Sequence, residues 1–173
     1  MTVVLGVDPG LSGGLALLER READGTGVPF TVMHAVADIP AIGEGANRRV
    51  NVPAVLGWIR AKHRVPPDHA FMERGQGFPG QGISSTFRYG RACGALEACV
   101  AGLQIPLTLV APVAWKRSLS LLGREKEASR QRALELFPTA VDDLSRHLDH
   151  GRAEAMLLAW YGLSELQKGS IAA

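Results

Sequence analysis

Cysteine is nearly absent from this chain: 173 residues hold only Cys93 and Cys99. They lie six apart on an expected helix, about 10 Å between Cα atoms and about 120° around the axis, too far for a disulfide. A cystine-stapled secreted scaffold is therefore excluded. The pair reads as small buried hydrophobes of a reducing compartment. No apolar run reaches the roughly 18 residues of a membrane span. The first residues lack a basic stretch leading into an apolar one, so no signal peptide is expected. The expected location is the cytoplasm, or a host's cytoplasm for a viral protein. Internal repeats, low-complexity stretches and linkers are also missing, so residues 1–173 are expected to form one domain.

What is present suits a globular fold: 46% hydrophobic and 21% charged residues, enough to bury a core without staples. The net charge of +2 says little, but its distribution says more. Residues 46–64 carry Arg48, Arg49, Arg60, Lys62 and Arg64 with no acid. Residues 111–132 carry Lys116, Arg117, Arg124, Lys126, Arg130 and Arg132 against Glu125 and Glu127. Two such stretches suggest a side that faces a polyanion, or else ordinary solvated helix faces.

The first third reads as strands at 2–8, 14–18 and 30–36, close enough in sequence for an antiparallel meander. Residues 38–51 read as a loop. A helix over 52–64 follows, with Pro53 in its first turn. Further strands are expected at 69–73 and 106–110. Helices are expected over 84–103, from Pro112 to a break at Gly123, from Glu127 to Phe137, and over 151–166. The sum is an α/β protein: a mixed five-stranded sheet flanked by helices. Gly90, Gly94 and Ala98 mark one face of the long helix, either a seam with a second copy or a contact with its own sheet.

Three acids stand at telling places. Asp8 ends the first strand in Gly6-Val7-Asp8-Pro9-Gly10, Glu73 ends the fourth, and Glu154 lies near the start of the last helix. Strand ends on one edge converge, and clustered carboxylates raise one another's pKa unless a cation intervenes. A hard divalent ion such as Mg²⁺ takes oxygen ligands, and two of them can activate water on a phosphodiester. Asp8 alone could equally cap its own turn. On the last helix His150 and Glu154 are four apart and share a face, whereas Asp149 lies about 140° from Glu154. Asp149 also suits a helix N-cap, and His150 a solvated first turn. The helix buries a stripe of Ala153, Met156, Leu157, Trp160 and Leu163.

Together these segments resemble the RuvC-type Holliday junction resolvases (crossover junction endodeoxyribonucleases) of the ribonuclease H-like superfamily, most closely their phage-type branch. The resemblance spans about residues 2–162. It rests on Gly6-Val7-Asp8-Pro9-Gly10, Met72-Glu73, Phe78-Pro79-Gly80-Gln81-Gly82 with Ser84-Ser85 and Tyr89-Gly90-Arg91, Pro112-Val113-Ala114-Trp115-Lys116, and Gly151-Arg152-Ala153-Glu154-Ala155. It implies a ribonuclease H-like fold and a homodimer that makes paired, ligatable nicks with 5′-phosphates at a four-way DNA junction. Asp8, Glu73 and Glu154 match metal ligands, for two Mg²⁺ (or Mn²⁺) ions per site. Many relatives carry two aspartates three apart in the last motif, and here Gly151 stands at that spacing. His150 is then the expected fourth ligand or a base for the attacking water, with Asp149 as the alternative.

Lys116 and Lys126 match positions where relatives keep basic groups near the cut strand. Phe78 is expected to stack at the open junction centre, or to fold onto the core. Gln76 and Gln81 suit base contacts, and Arg91 belongs to the same DNA-facing set. Ser84 and Ser85 suit phosphate at a helix N-terminus or serve as its cap. Arg124 suits phosphate tracking, as do Arg48, Arg49, Arg130 and Arg132. Trp115 reads as core, with Lys116 turned away from it. Rival readings are a ribonuclease H-like nuclease on other DNA or RNA, and a non-catalytic junction-binding protein. The sugar-kinase and actin group also begins on an Asp-Gly turn, but needs a second domain.

Overall fold

The computed structural model describes residues 1–22, 27–62, 65–77 and 79–169. Strand β1 (Thr2–Asp8) turns back through a glycine-rich corner into β2 (Gly14–Arg21), which pairs with β3 (Phe30–Asp38). Two-residue strands β4 (Ala41–Ile42) and β5 (Arg49–Val50) form a separate hairpin. Helix α1 (Val52–Lys62), β6 (His69–Glu73), α2 (Ile83–Gly102) and β7 (Leu107–Val110) follow. Helices α3 (Pro112–Ser118), α4 (Lys126–Leu136) and α5 (His150–Gln167) complete the chain. The main sheet has five strands in the order β3-β2-β1-β6-β7. The first three are antiparallel, and β6 and β7 run parallel to β1. This is the expected mixed sheet with the expected meander.

Alternation along the central strands sorts their side chains between two cores. Val3, Leu5 and Val7 of β1 join Leu15, Leu17, Ala70 and Met72 beneath α1 and α2. Val4 of β1 joins Ala16, Leu18 and Phe71 beneath α5, with Trp115 of α3 and Ala133 of α4. Both faces are covered, which is why β1 reads as an unbroken apolar run rather than an alternating one. Helix α5 is sandwiched between this face and α4, so Ala155, Leu158, Ala159 and Gly162 are buried along with the expected stripe of Ala153, Met156, Leu157 and Leu163. Trp160 of that stripe is only partly buried, its ring edge-on to Phe137.

Three expectations shift. The 38–51 segment contains the β4–β5 hairpin, whose strands are too short to show a period. Helix α3 ends at Ser118 rather than running to Gly123, because Ser120 turns to a left-handed φ of 61°. The last helix begins at His150. The two cysteines are buried and unpaired with each other, as expected.

Candidate active site

The period of two places Asp8 on the α5 face of β1, two residues beyond Gly6, and Glu73 on the same face of β6, two beyond Phe71. Registers Gly6↔Phe71 and Val7↔Met72 set the two acids side by side one step further along the parallel pair. Glu154 arrives from above because α5 lies directly on β1. A Cβ at Gly6 would stand 2.0 Å from the Ala155 carbonyl oxygen and 2.7 Å from Ala159 N. Only glycine lets the helix backbone come this close. The start of α5 is pressed against the β1–β2 corner in the same way, where a Cβ at Gly151 would stand 2.3 Å from Ser12 O.

The three acids feel one another. The Asp8 carboxyl is pushed well above the usual carboxylate range, first by burial and then by the negative charges of Glu154 and Glu73. Lys116 and Lys126 pull it partly back. Burial also raises Glu73, against the opposing pull of Trp115 and Lys116. Each of the other two acids is held by a neighbour. Trp115 Nε1 donates to Glu73 Oε2 at 2.8 Å, and Ser129 Oγ donates to Glu154 Oε1 at 3.0 Å. Lys116 Nζ lies 3.4 Å from Glu154 Oε1 and 5.0 Å from the centre of the Trp115 ring. Trp115 is core, as expected, but Lys116 is not turned away from it. Its long stem carries the ammonium back across the indole face into the acidic cluster.

Asp149 occupies the N-cap position of α5, but its side chain makes no cap bond. The carboxylate is buried and accepts from Arg146 N at 2.6 Å and Arg146 Nε at 2.8 Å. Arg146 and Arg152 both bond Asp38 at the end of β3, so the four residues tie α5's start to the sheet. His150 is partly buried at the first position of α5, one turn before Glu154. Sequence reasoning missed Ser129 and the Arg146–Asp38–Arg152 network. A serine in the interior of a helix, where it is a poor former, was the one available signal.

The other expected residues scatter. Neither Ser84 nor Ser85 caps α2: its N-cap is Gly82, and the serines are the second and third helical residues. Arg91 is exposed with its guanidinium 5.7 Å from the Phe87 ring centre. Gln76 and Gln81 are exposed in the loop after β6, and Phe78 lies outside the described residues. Arg124 lies in a separate hollow with Leu119 and Ala128. Arg130 is engaged by Glu127 and by the Leu144 carbonyl, and Arg132 by Glu135, so these two are not open to phosphate as they stand.

The donor set is one that a hard divalent cation suits: carboxylates only, with Asp8 and Glu73 both raised by burial. Among the described residues, no group of three or more His, Cys, Asp or Glu side chains is arranged so that it could hold a metal ion as it stands. Glu154 is turned to Ser129 and Lys116, and Glu73 to Trp115.

The sequence matches no family model and no curated protein. Solved structures do match. Thermus thermophilus RuvC aligns over 97% of this chain and 97% of its own, at 19% identity and a TM-score of 0.64. The chain has the RuvC fold. RuvC of the same organism in complex with a Holliday junction substrate matches equally well, at 17% identity, a TM-score of 0.64 and 98% coverage of each chain. The fowlpox virus Holliday junction resolvase aligns over 96% of this chain and 99% of its own, at 13% identity and a TM-score of 0.52. The ribonuclease H-like fold expected from the motifs is thereby confirmed. Among the described residues, no helix is long and apolar enough to cross a membrane.

Proposed function

We propose that this protein is a divalent-metal-dependent endonuclease that resolves four-way DNA junctions. The observation that carries the reading is the meeting of Asp8, Glu73 and Glu154 at one end of a RuvC-like sheet, with Lys116 among them. Asp8, Glu73 and Glu154 would hold Mg²⁺ or Mn²⁺, with His150 completing the set. Asp149 is the weaker choice, since its carboxylate is already committed to Arg146. The ions would supply a water acidified toward neutrality and charge neutralisation at the phosphate.

The chain's own residues have separate tasks in this reading. Trp115 and Ser129 fix which oxygens of Glu73 and Glu154 remain open. Lys116 neutralises negative charge growing on the phosphate, and Lys126 adds to the same field. His150 takes the proton of the attacking water if it is not itself a ligand. Paired cuts need two copies. Helix α2 offers an outward stripe of Ile83, Phe87, Gly90, Gly94 and Ala98, all exposed, as the seam of a homodimer.

The test is cleavage of a four-way junction, a linear duplex and an RNA–DNA hybrid, with and without Mg²⁺. Asp8→Asn runs alongside, and molecular mass is measured in solution. The reading expects Mg²⁺-dependent paired nicking of the junction, abolished in Asp8→Asn, by a dimer. Equal cutting of all three substrates, or full activity in Asp8→Asn, would overturn it.

A further inference from the structure

Two arginines from the β4–β5 hairpin, Arg48 and Arg49, face two from helix α2, Arg88 and Arg91, across a groove of about 490 Å³. The floor is apolar, with Leu11, Val50, Val52 and Ala92. A second hollow of about 550 Å³ shares Leu11, Arg48 and Arg88 with the first and continues to Pro9, Gly10 and Ser12. Pro9, Gly10 and Ser12 lie within four residues of Asp8, and Tyr89 of the same hollow feels the charges of Glu73 and Asp8, so the groove opens beside the acidic cluster and leads away from it.

All four arginines are exposed, and no described carboxylate pairs with any of them. Their recorded partners are weak or neutral: the Asn47 carbonyl for Arg49, the Ser84 carbonyl for Arg88 and the Phe87 ring for Arg91. Some arginines elsewhere are neutralised, as Arg130 is by Glu127 and Arg146 by Asp38 and Asp149. Arg20, Arg60, Arg74, Arg117 and Arg124 have no described carboxylate partner either, so it is the gathering of four in one groove that sets these apart. Four unneutralised guanidiniums on opposite walls of one groove suit a ligand with phosphates on both sides and less polar sugars between.

We infer that this groove holds the sugar–phosphate backbone of one DNA strand running away from the cut site, with Arg48 and Arg49 on one wall and Arg88 and Arg91 on the other. The inference rests on the nuclease reading for its ligand. It adds a strand path that the acidic cluster does not define. The β4–β5 hairpin gains a purpose in it, as the wall that carries half of the arginines. The groove contributes affinity and register, not chemistry.

The test uses the full chain carrying Asp8→Asn, so that DNA is bound but not cut. Affinity for a labelled four-way junction, a linear duplex and a single strand is measured across a salt series. Each lost phosphate contact should lower the slope of log affinity against log salt by about 0.9 on duplex, so Arg48→Ala/Arg49→Ala/Arg88→Ala/Arg91→Ala should lower it by roughly three to four. The four-lysine version should keep most of the slope. Arg60→Ala/Lys62→Ala, at the other end of α1, should leave it unchanged. A loss seen also on the single strand would identify an unpaired strand in the groove, and a loss confined to paired DNA would identify a duplex arm.

An unchanged slope in the four-alanine variant, with unchanged thermal unfolding, would overturn the groove while leaving the nuclease reading intact. So would an equal loss in the Arg60/Lys62 control. Arginine-dependent binding with no preference for the junction would support the groove and count against junction resolution. No binding to any DNA would overturn both.

Discussion

The indole nitrogen of Trp115 donates a 2.8 Å hydrogen bond to Oε2 of Glu73. One residue thus serves both core and site, since Trp115 is fully buried beneath α5 while its polar edge reaches the acid cluster. The burial anchors the donor, and the donor fixes the carboxylate rotamer. Oε1 is then the oxygen that the proposed cation would meet.

Trp115→Phe keeps most of the apolar volume and removes the donor. Stability should fall by about 2–3 kcal/mol, combining a hydrogen bond to a charged acceptor with a small cavity. If orienting Glu73 matters to the chemistry, kcat should drop by about tenfold or more, corresponding to roughly 1.4 kcal/mol of barrier. The Mg²⁺ concentration for half activity should rise as well. Junction binding by the metal-free protein should not change. Thermal unfolding, a metal titration of activity and a binding assay separate the three effects.

Asp149 and His150 are neighbours with opposite expected signatures. Asp149 is buried and accepts from the Arg146 backbone and side chain. Asp149→Asn should therefore cost about 1–3 kcal/mol of stability, the range for weakening a buried charge-assisted bond. At temperatures where it remains folded it should retain most of its kcat. His150→Ala should unfold within a degree or two of wild type and lose most of its kcat. Paired unfolding and cleavage measurements decide it. An inactive but stable Asp149→Asn would return that residue to the ligand set.

The antiparallel meander, the mixed five-stranded sheet and the positions of Asp8, Glu73 and Glu154 along their elements were legible because each follows from a local pattern. A period of two assigns the faces, and a carboxylate at a strand end stands out. What was not legible depends on contacts between distant segments. Ser129 meets Glu154 across 25 positions, and Arg146 meets Asp38 across 108. No local spacing encodes either pair. Lys116 was misplaced for a related reason. Adjacent helical residues point about 100° apart, but a lysine stem is long enough to cancel that angle when an acid lies on the far side. The β4–β5 hairpin escaped notice because two residues per strand show no period.

Far from the acidic cluster, Glu19 of β2 is buried between Arg21 and His34. The hydrogen bond from Arg21, with that of His34, holds its carboxyl down at about 2 despite burial. A carboxyl lowered in the folded state stabilises fully above its unfolded value and loses that contribution as pH falls through the folded one. The window therefore runs from about pH 4.5 down to about 2. Glu19→Gln should be less stable than wild type at neutral pH by about 1–2 kcal/mol. The gap should shrink steadily as the solution is acidified through that window. Denaturant unfolding at a series of pH values measures it. A gap that stays constant with pH would mean that the Glu19 charge contributes nothing.

Gly151 stands where the resemblance to the resolvase motif would place an aspartate, and introducing one is the obvious way to seek a stronger metal site. The packing argues against it. A Cβ at this position would lie 2.3 Å from Ser12 O and 2.8 Å from Gly13 Cα, both backbone atoms of the β1–β2 corner. Backbone cannot rotate aside as a side chain can, so α5 or the corner must move. That movement would shift Glu154, one turn along α5, relative to Asp8. Gly151→Asp should therefore destabilise by about 1–3 kcal/mol or more, and it should lower activity rather than raise it. Gly151→Ala supplies the control, since it adds the clash without the charge. If both variants lose similar stability and activity, the close approach of α5 to the corner is the cause. If Gly151→Ala is harmless and Gly151→Asp gains activity at low Mg²⁺, the corner yields readily and the glycine is not required for packing.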